Sequence, residues 1–121
     1  MTPAELDNSE LIVFIGLAKQ VIRADQVVSD DEKQWLSDTA ERVGIDRWRQ
    51  GIKDAQEQFT EAQDVRDAAK ALEKAESREL IYEALMKLAE GDDYVYEEAV
   101  ILDWVARIWD IGDHVPMVRS S

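Results

Sequence analysis

Two short stretches of the sequence concentrate carboxylates that could bind a cation. Residues 25–32 hold four acids and residues 90–98 hold five, and neither stretch contains Lys, Arg or His. Two carboxylates about 4 Å apart repel each other by about 1 kcal/mol in water and by about 4 kcal/mol at an effective dielectric of about 20. Such clusters favour a bridging cation or a basic partner, and carboxylate oxygens select Ca²⁺, Mg²⁺ or Mn²⁺ over zinc or copper.

The positions of the acids allow two interpretations, and the sequence leaves both open. Asp30, Asp31 and Glu32 open a helix, where each acid interacts favourably with the helix dipole by about 0.3–1 kcal/mol. Capping and a solvated face explain these three residues. Asp25 and Asp92 each follow the C-terminal end of a helix, where the dipole disfavours an anion. These two residues favour a cation or a basic partner.

Neither stretch matches an EF-hand. With Asp25 as ligand position 1, Leu36 falls where the loop requires a bidentate Glu. With Asp92 as position 1, Tyr94 and Tyr96 fall at ligand positions 3 and 5. A metal site would therefore have to combine ligands from both stretches.

Apolar residues at helical spacing predict the elements that carry these acidic turns. In the first element the stripe consists of Leu11, Phe14, Ile15, Ala18, Val21 and Ile22. Further stripes occur within residues 35–43, 48–59, 65–72, 80–88 and 101–108. No stretch alternates as a strand does, and no Asn-Gly or Asp-Gly hairpin signal occurs. The sequence therefore predicts an all-α fold, a single compact domain of about six to seven helices.

Capping and stop signals delimit the predicted helices. Ser29 and Glu32 match the Ser-x-x-Glu capping box, and Gly44 is a predicted stop. The fourth helix is predicted at residues 64–75, and the sixth is predicted to end near residue 112. Gly16 lies inside the first helix, at a cost of about 1 kcal/mol relative to Ala, so we expect a neighbouring helix to cross close to it. The four tryptophans at helical spacing are expected to pack in or beside the core.

The arrangement of helix, acidic turn and helix occurs twice. At an offset of 67 residues Asp25 falls on Asp92, and after a one-residue deletion Glu32 falls on Glu98 at an offset of 66. Two copies indicate a pseudo-duplicated domain, because a solenoid requires a longer array.

With these motifs the chain resembles the TerB-like, tellurite-resistance-associated helical family. The resemblance is carried by residues 17–32 and 88–98 and covers about residues 11–111. It implies an all-helical domain with the two acidic turns brought together, and a bacterial stress-response role with divalent-cation binding. The ligands it implies are Asp25, Glu32, Asp92 and Glu98, with Asp31, Asp93 and Glu97 as helpers.

Two departures from the family pattern bear on that site. Gln26 and Asp93 stand where the family has glycine, so a turn that needs a positive φ would be strained or differently shaped. The second turn is also one residue shorter than the first. A member that keeps the fold and has lost the cation is therefore an alternative.

Composition limits the class of partner. With 27 acids against 14 bases the net charge is −13, which opposes binding to nucleic acid and anionic lipid. The chain has no Cys, residues 1–8 do not resemble a secretory signal, and the longest apolar run, residues 11–18, is too short to span a bilayer. We expect one cytoplasmic domain over residues 1–121, with its core at about 9–112 and a flexible tail at 113–121.

The predicted function is a non-enzymatic, TerB-like stress-response or adaptor domain that binds a divalent cation (Ca²⁺, Mg²⁺ or Mn²⁺) through the two acidic turns. The alternative is a metal-independent interaction module whose acidic surface docks a basic protein partner. No catalytic residues are predicted, because His114 lies past the last helix and no glycine-rich phosphate loop occurs. The sequence specifies neither the partner nor the oligomeric state.

Overall fold

The computed structural model describes the backbone of residues 2–24, 30–90 and 96–111, without the side chains of residues 24, 90 and 96–98. A 3₁₀ turn at Pro3–Glu5 precedes the helices. The helices of these described ranges are α1 (Asn8–Ala24), α2 (Asp30–Val43), α3 (Ile45–Gln58), α4 (Ala62–Ala71), α5 (Ala75–Glu90) and α6 (Tyr96–Ile108). No strand occurs in the same ranges, so the predicted all-α, compact single-domain fold is confirmed. The predicted tail at 113–121 lies outside them.

Helix α1 lies at the centre of the fold. It packs against α3, α4, α5 and α6, while α2 packs against α3, α5 and the 3₁₀ turn. Every residue from 10 to 18 is buried, so α1 buries more of its circumference than the predicted stripe. Ile12 and Val13, which lie outside that stripe, are 7% and 3% exposed. A helix that is apolar on nearly every side must be surrounded by other elements, and α1 is. Among the described helices, none is long and apolar enough to cross a membrane.

The tryptophans contribute to the core, as predicted. Trp48 and Trp109 are buried, and Trp35 and Trp104 are half-buried. The ring of Phe14 in α1 meets the rings of Trp35 and Trp48 edge to face, with centroid distances of 5.7 and 6.2 Å. Because edge-to-face pairs add about 0.5–1.5 kcal/mol beyond their buried area, this cluster ties α1 to α2 and α3.

Two glycines allow close approach to α1. A Cβ on Gly16 would lie 3.1 Å from the ring of Phe59 and 3.2 Å from Val65, a residue of α4. The predicted close neighbour at Gly16 is therefore confirmed. A Cβ on Gly51 of α3 would lie only 2.6 Å from Cδ1 of Ile15, so this end of the Ile15 side chain would have to shift to make room for it.

The helix ends follow local hydrogen bonding. Gly44, with φ +108°, separates α2 from α3 and confirms the predicted stop. The prediction of helix four at 64–75 was wrong at its end, because α4 stops at Ala71. Leu72 adopts an extended conformation, and its carbonyl accepts a hydrogen bond from Nε of Arg78 at 2.7 Å. A contact six residues along the chain thus ends the helix where periodicity alone would continue it.

The end of α6 also differs from the prediction of a stop near residue 112. The helix ends at Ile108, and Asp110 adopts the left-handed conformation with φ +57°. The amide of Ile111 donates to the carbonyl of Ala106 at 2.8 Å. The amide of Asp110 donates to the carbonyl of Arg107 at 3.3 Å. These two bonds form a Schellman motif, in which glycine is the usual left-handed residue.

Replacing Asp110 by glycine is expected to stabilise the protein. Asp110 is exposed, so the change removes the strain of a side chain at positive φ without loss of core packing. We expect Asp110→Gly to raise the free energy of unfolding by about 0.5–1 kcal/mol in urea denaturation. Asp110→Ala removes the same charge but keeps a Cβ, and a full gain in that variant would contradict the conformational explanation.

Candidate functional site

The structure describes only part of the predicted cation site. The predicted ligands whose side chains lie outside the described residues are Asp25, Asp92, Asp93, Glu97 and Glu98. Asp31 and Glu32 are described. Within the described part of the chain, no group of three or more His, Asp or Glu side chains could hold a metal. That finding does not reach the two acidic turns, so the site that combines them stays a prediction.

The two described ligands have different environments. Glu32 is 0% exposed in the first turn of α2, whereas the neighbouring Asp31 is exposed. Taking an ionised carboxylate out of water costs several kcal/mol unless hydrogen bonds, a counter-charge or a metal compensates. Glu32 does take part in an interaction within the chain, so its burial by itself does not require a metal.

Helix α1 provides a direct comparison for Glu32. Glu10 is the third residue of α1, as Glu32 is of α2, and it is only 5% exposed. Its Oε1 accepts from the amide of Asp7 at 2.9 Å, while the amide of Glu10 donates to Oδ1 of Asp7 at 2.8 Å. A capping box is thus enough to bury a glutamate at this helix position. The corresponding box predicted for Ser29 and Glu32 involves a residue outside the described ranges.

A pocket of about 410 Å³ lies between α1, α3 and the start of α4, and the sequence did not predict it. Its walls are mostly apolar and include Ile15, Ala18, Ile22, Trp48, Phe59 and Val65. Gly16 lies beside Phe59 in the same wall. Pockets of about 300–1,000 Å³ with mainly apolar walls and a few polar groups are typical of small-molecule sites.

The polar residues of the pocket carry more positive than negative charge. Lys19 and Arg23, one turn apart on α1, are exposed and line the pocket together with Glu61 from the start of α4. No other described residue forms an ion pair with Lys19 or Arg23. Gln20 also lines the pocket, and its buried Nε2 has no hydrogen-bond partner among the described residues.

The α4 side of the pocket is shaped by Asp64. Oδ2 of Asp64 accepts hydrogen bonds from the amide of Glu61 at 3.1 Å, and from the hydroxyl and amide of Thr60 at 3.0 Å each. The amide of Glu61 is the main cause, with the two Thr60 groups next, of a pKa of Asp64 below its ordinary value of 3.8. Both residues held by Asp64 line the pocket.

Two signals in the sequence point toward this pocket. Gly16 marks a place where α1 is closely approached, and Lys19 and Arg23 are the two bases of a mainly apolar helix. The sequence does not indicate which residues form the opposite walls of the pocket, because Trp48, Phe59 and the start of α4 reach it only through tertiary packing.

Comparisons with known proteins do not assign the chain to a family. No family model matches it, and neither does any curated protein or solved structure. The TerB-like resemblance therefore depends on the motifs in the sequence and remains a prediction.

The lowered pKa of Asp64 predicts a pH-dependent contribution to stability. The ionised form is favoured in the folded state, so its contribution is complete above the unfolded pKa of 3.8 and is lost as the pH falls through the lower folded pKa. We expect Asp64→Asn to lower the free energy of unfolding at about pH 7, with the difference from wild type shrinking as the pH falls through the folded pKa of Asp64. Urea denaturation across this range measures the difference.

Asp67→Asn is the matched control for this experiment. It removes the same charge from α4 but leaves the hydrogen bonds to Thr60 and Glu61 in place. An equal loss of stability in both variants would attribute the effect to net charge and contradict the role given to the helix-start hydrogen bonds.

Proposed function

We propose that the chain is a non-enzymatic, TerB-like adaptor domain that binds a divalent cation (Ca²⁺, Mg²⁺ or Mn²⁺) through its two acidic turns and couples ion binding to a protein partner. The observation that carries the proposal is the concentration of nine acids, without any Lys, Arg or His, in residues 25–32 and 90–98. A hard cation would compensate the repulsion among these carboxylates.

The packing of the helices also supports a site that combines the two turns. Residues 25–29 join α1 to α2, and residues 91–95 join α5 to α6. Helix α1 packs against α5 and α6, and α2 packs against α5. The helices that flank one turn are thus neighbours of those that flank the other, which agrees with ligands drawn from both.

Ion-dependent thermal unfolding tests this proposal. A cation that binds the folded state stabilises it by RT ln(1 + [L]/Kd), about 2.7 kcal/mol at a hundredfold excess over Kd. We expect millimolar Ca²⁺, Mg²⁺ or Mn²⁺ to raise the melting temperature relative to EDTA and to a monovalent salt of equal ionic strength. Asp25→Asn, Asp92→Asn and Glu32→Gln are each expected to abolish the shift.

Glu10→Gln is the matched control for Glu32→Gln. Both residues are buried glutamates at the third position of a helix, and Gln retains the capping box at that position. An ion-induced shift that survives in Glu10→Gln but not in Glu32→Gln supports direct ligation. The absence of any shift in wild type, or an equal shift in all variants, would contradict cation binding.

A metal-independent interaction module is the second candidate, and the surface charge of the described helices favours it. Exposed acids on α2 and α5 are Asp30, Asp31, Asp38, Glu41, Glu76, Glu79 and Glu83. Together with the net charge of −13, these residues suit a basic protein surface. The capping box of Glu10 also supplies a precedent for burying Glu32 without a metal.

Salt-dependent capture in EDTA tests the second candidate. We expect a basic protein to be retained at about 50 mM salt and released at about 0.5 M, because screening shortens the range of surface charge. Neutralising Asp38 and Glu41 to Asn and Gln is expected to weaken capture, whereas neutralising Asp54 and Glu57 of α3 in the same way serves as the control. No capture at low salt, or equal loss with both pairs, would contradict a specific acidic docking surface.

A further inference from the structure

We propose that the pocket between α1, α3 and α4 binds a small apolar molecule that ends in a single carboxylate. The site shares no residue with the predicted cation ligands, so this inference does not depend on the function proposed above. It rests on three observations: the volume of the pocket, the composition of its walls and the charge of its lining residues.

Volume and wall composition define the body of the ligand. At about 410 Å³ the pocket lies toward the small end of the range for small-molecule sites, about 300–1,000 Å³. Aliphatic and aromatic side chains form most of the walls, from Ile15 and Ile22 on one side to Trp48 and Phe59 on the other. An unbranched hydrocarbon chain or a compact ring system would bury its apolar surface there.

The lining charges define the head group of the ligand. Lys19 and Arg23 supply two positive charges and Glu61 one negative charge, so the charged lining residues carry one net positive charge on a chain whose net charge is −13. A carboxylate matches that balance, whereas a phosphate monoester carries about −1.5 to −2 charges and would be repelled by Glu61. Because no other described residue pairs with Lys19 or Arg23, neither needs to give up a partner within the described part of the chain.

Gln20 offers a further polar contact. Its Nε2 is buried without a hydrogen-bond partner among the described residues, and a buried donor in that state is costly. Rotation of the amide toward the pocket would let a carboxylate oxygen accept this hydrogen bond. Lys19, Gln20 and Arg23 then form a donor set on consecutive turns of α1.

Titration of the full chain with decanoate, in buffer containing EDTA, tests the proposal. We expect saturable binding with one site per chain by calorimetry, accompanied by a change in intrinsic tryptophan fluorescence, to which Trp48 in the pocket wall contributes. Decanol and decyltrimethylammonium carry the same ten-carbon chain with a neutral and a cationic head group. Both are expected to bind at least about tenfold more weakly than decanoate, because each loses a charge-assisted hydrogen bond.

Paired variants distinguish the pocket from general association. The double variant Lys19→Gln, Arg23→Gln is expected to weaken decanoate binding roughly tenfold, the effect of losing a charge-assisted contact. The control Lys33→Gln, Lys53→Gln removes the same charge outside the pocket and is expected to bind normally. Ala55→Leu fills the wall and should abolish binding, whereas Ala71→Leu, which lies outside the pocket, should not.

Four outcomes would overturn the proposal. These are no saturation up to about 1 mM decanoate, equal binding of the three head groups, equal weakening by both charge pairs, and dimer formation that covers the pocket in sedimentation experiments. If Ala55→Leu does not fold, the double variant Lys19→Gln, Arg23→Gln still tests the proposal, because both residues are exposed. Because every titration contains EDTA, failure here is distinguishable from failure of the cation proposal.

Discussion

The burial of α1 on nearly every side is the constraint on which the rest of the fold depends. Each fully buried Leu, Ile or Phe contributes about 1.5–3 kcal/mol, and residues 10–18 form one continuous buried run. Such a helix must be enclosed, so the more polar helices α3 and α4 pack against it with narrow apolar faces. The charges of α1 are confined to its two ends, with Glu10 near the start and Lys19 and Arg23 toward the end.

Acidic residues at helix starts give part of the large negative charge a structural role. Glu10 closes the start of α1 through Asp7, and Asp64 closes the start of α4 through Thr60 and Glu61. In both places a carboxylate accepts from backbone amides that would otherwise have no intrahelical partner. Net charge alone therefore overstates the amount of acid that is free to bind a ligand or partner.

Local signals in the sequence were enough to predict much of the fold. Helical periodicity predicted the all-α class, and the positive φ of Gly44 explains why that residue is a reliable stop. The end of α4 was not predictable from periodicity, since it depends on the guanidinium of Arg78 reaching the carbonyl of Leu72. A helix boundary that is fixed by a side-chain contact with a later residue cannot be predicted from a local sequence pattern.

The candidate sites are less predictable than the fold for a related reason. The cation site was inferred from acids repeated in two turns, and repetition along a chain carries no information on how two turns are placed in space. The pocket was missed because its walls come from separate helices, although Gly16 and the pair Lys19 and Arg23 mark one side of it. Sequence periodicity identifies the buried face of a helix, but it does not identify the residues of other helices that pack against that face.

Gly51 has a consequence for how such a pocket could vary between proteins. It does not line the pocket, but a side chain there would displace the end of Ile15, which does line it. The shape of one wall therefore depends on a missing methyl group outside the cavity. Two chains with identical lining residues would hold Ile15 differently if only one of them kept this glycine, so divergence in specificity can begin at a position that never touches the ligand.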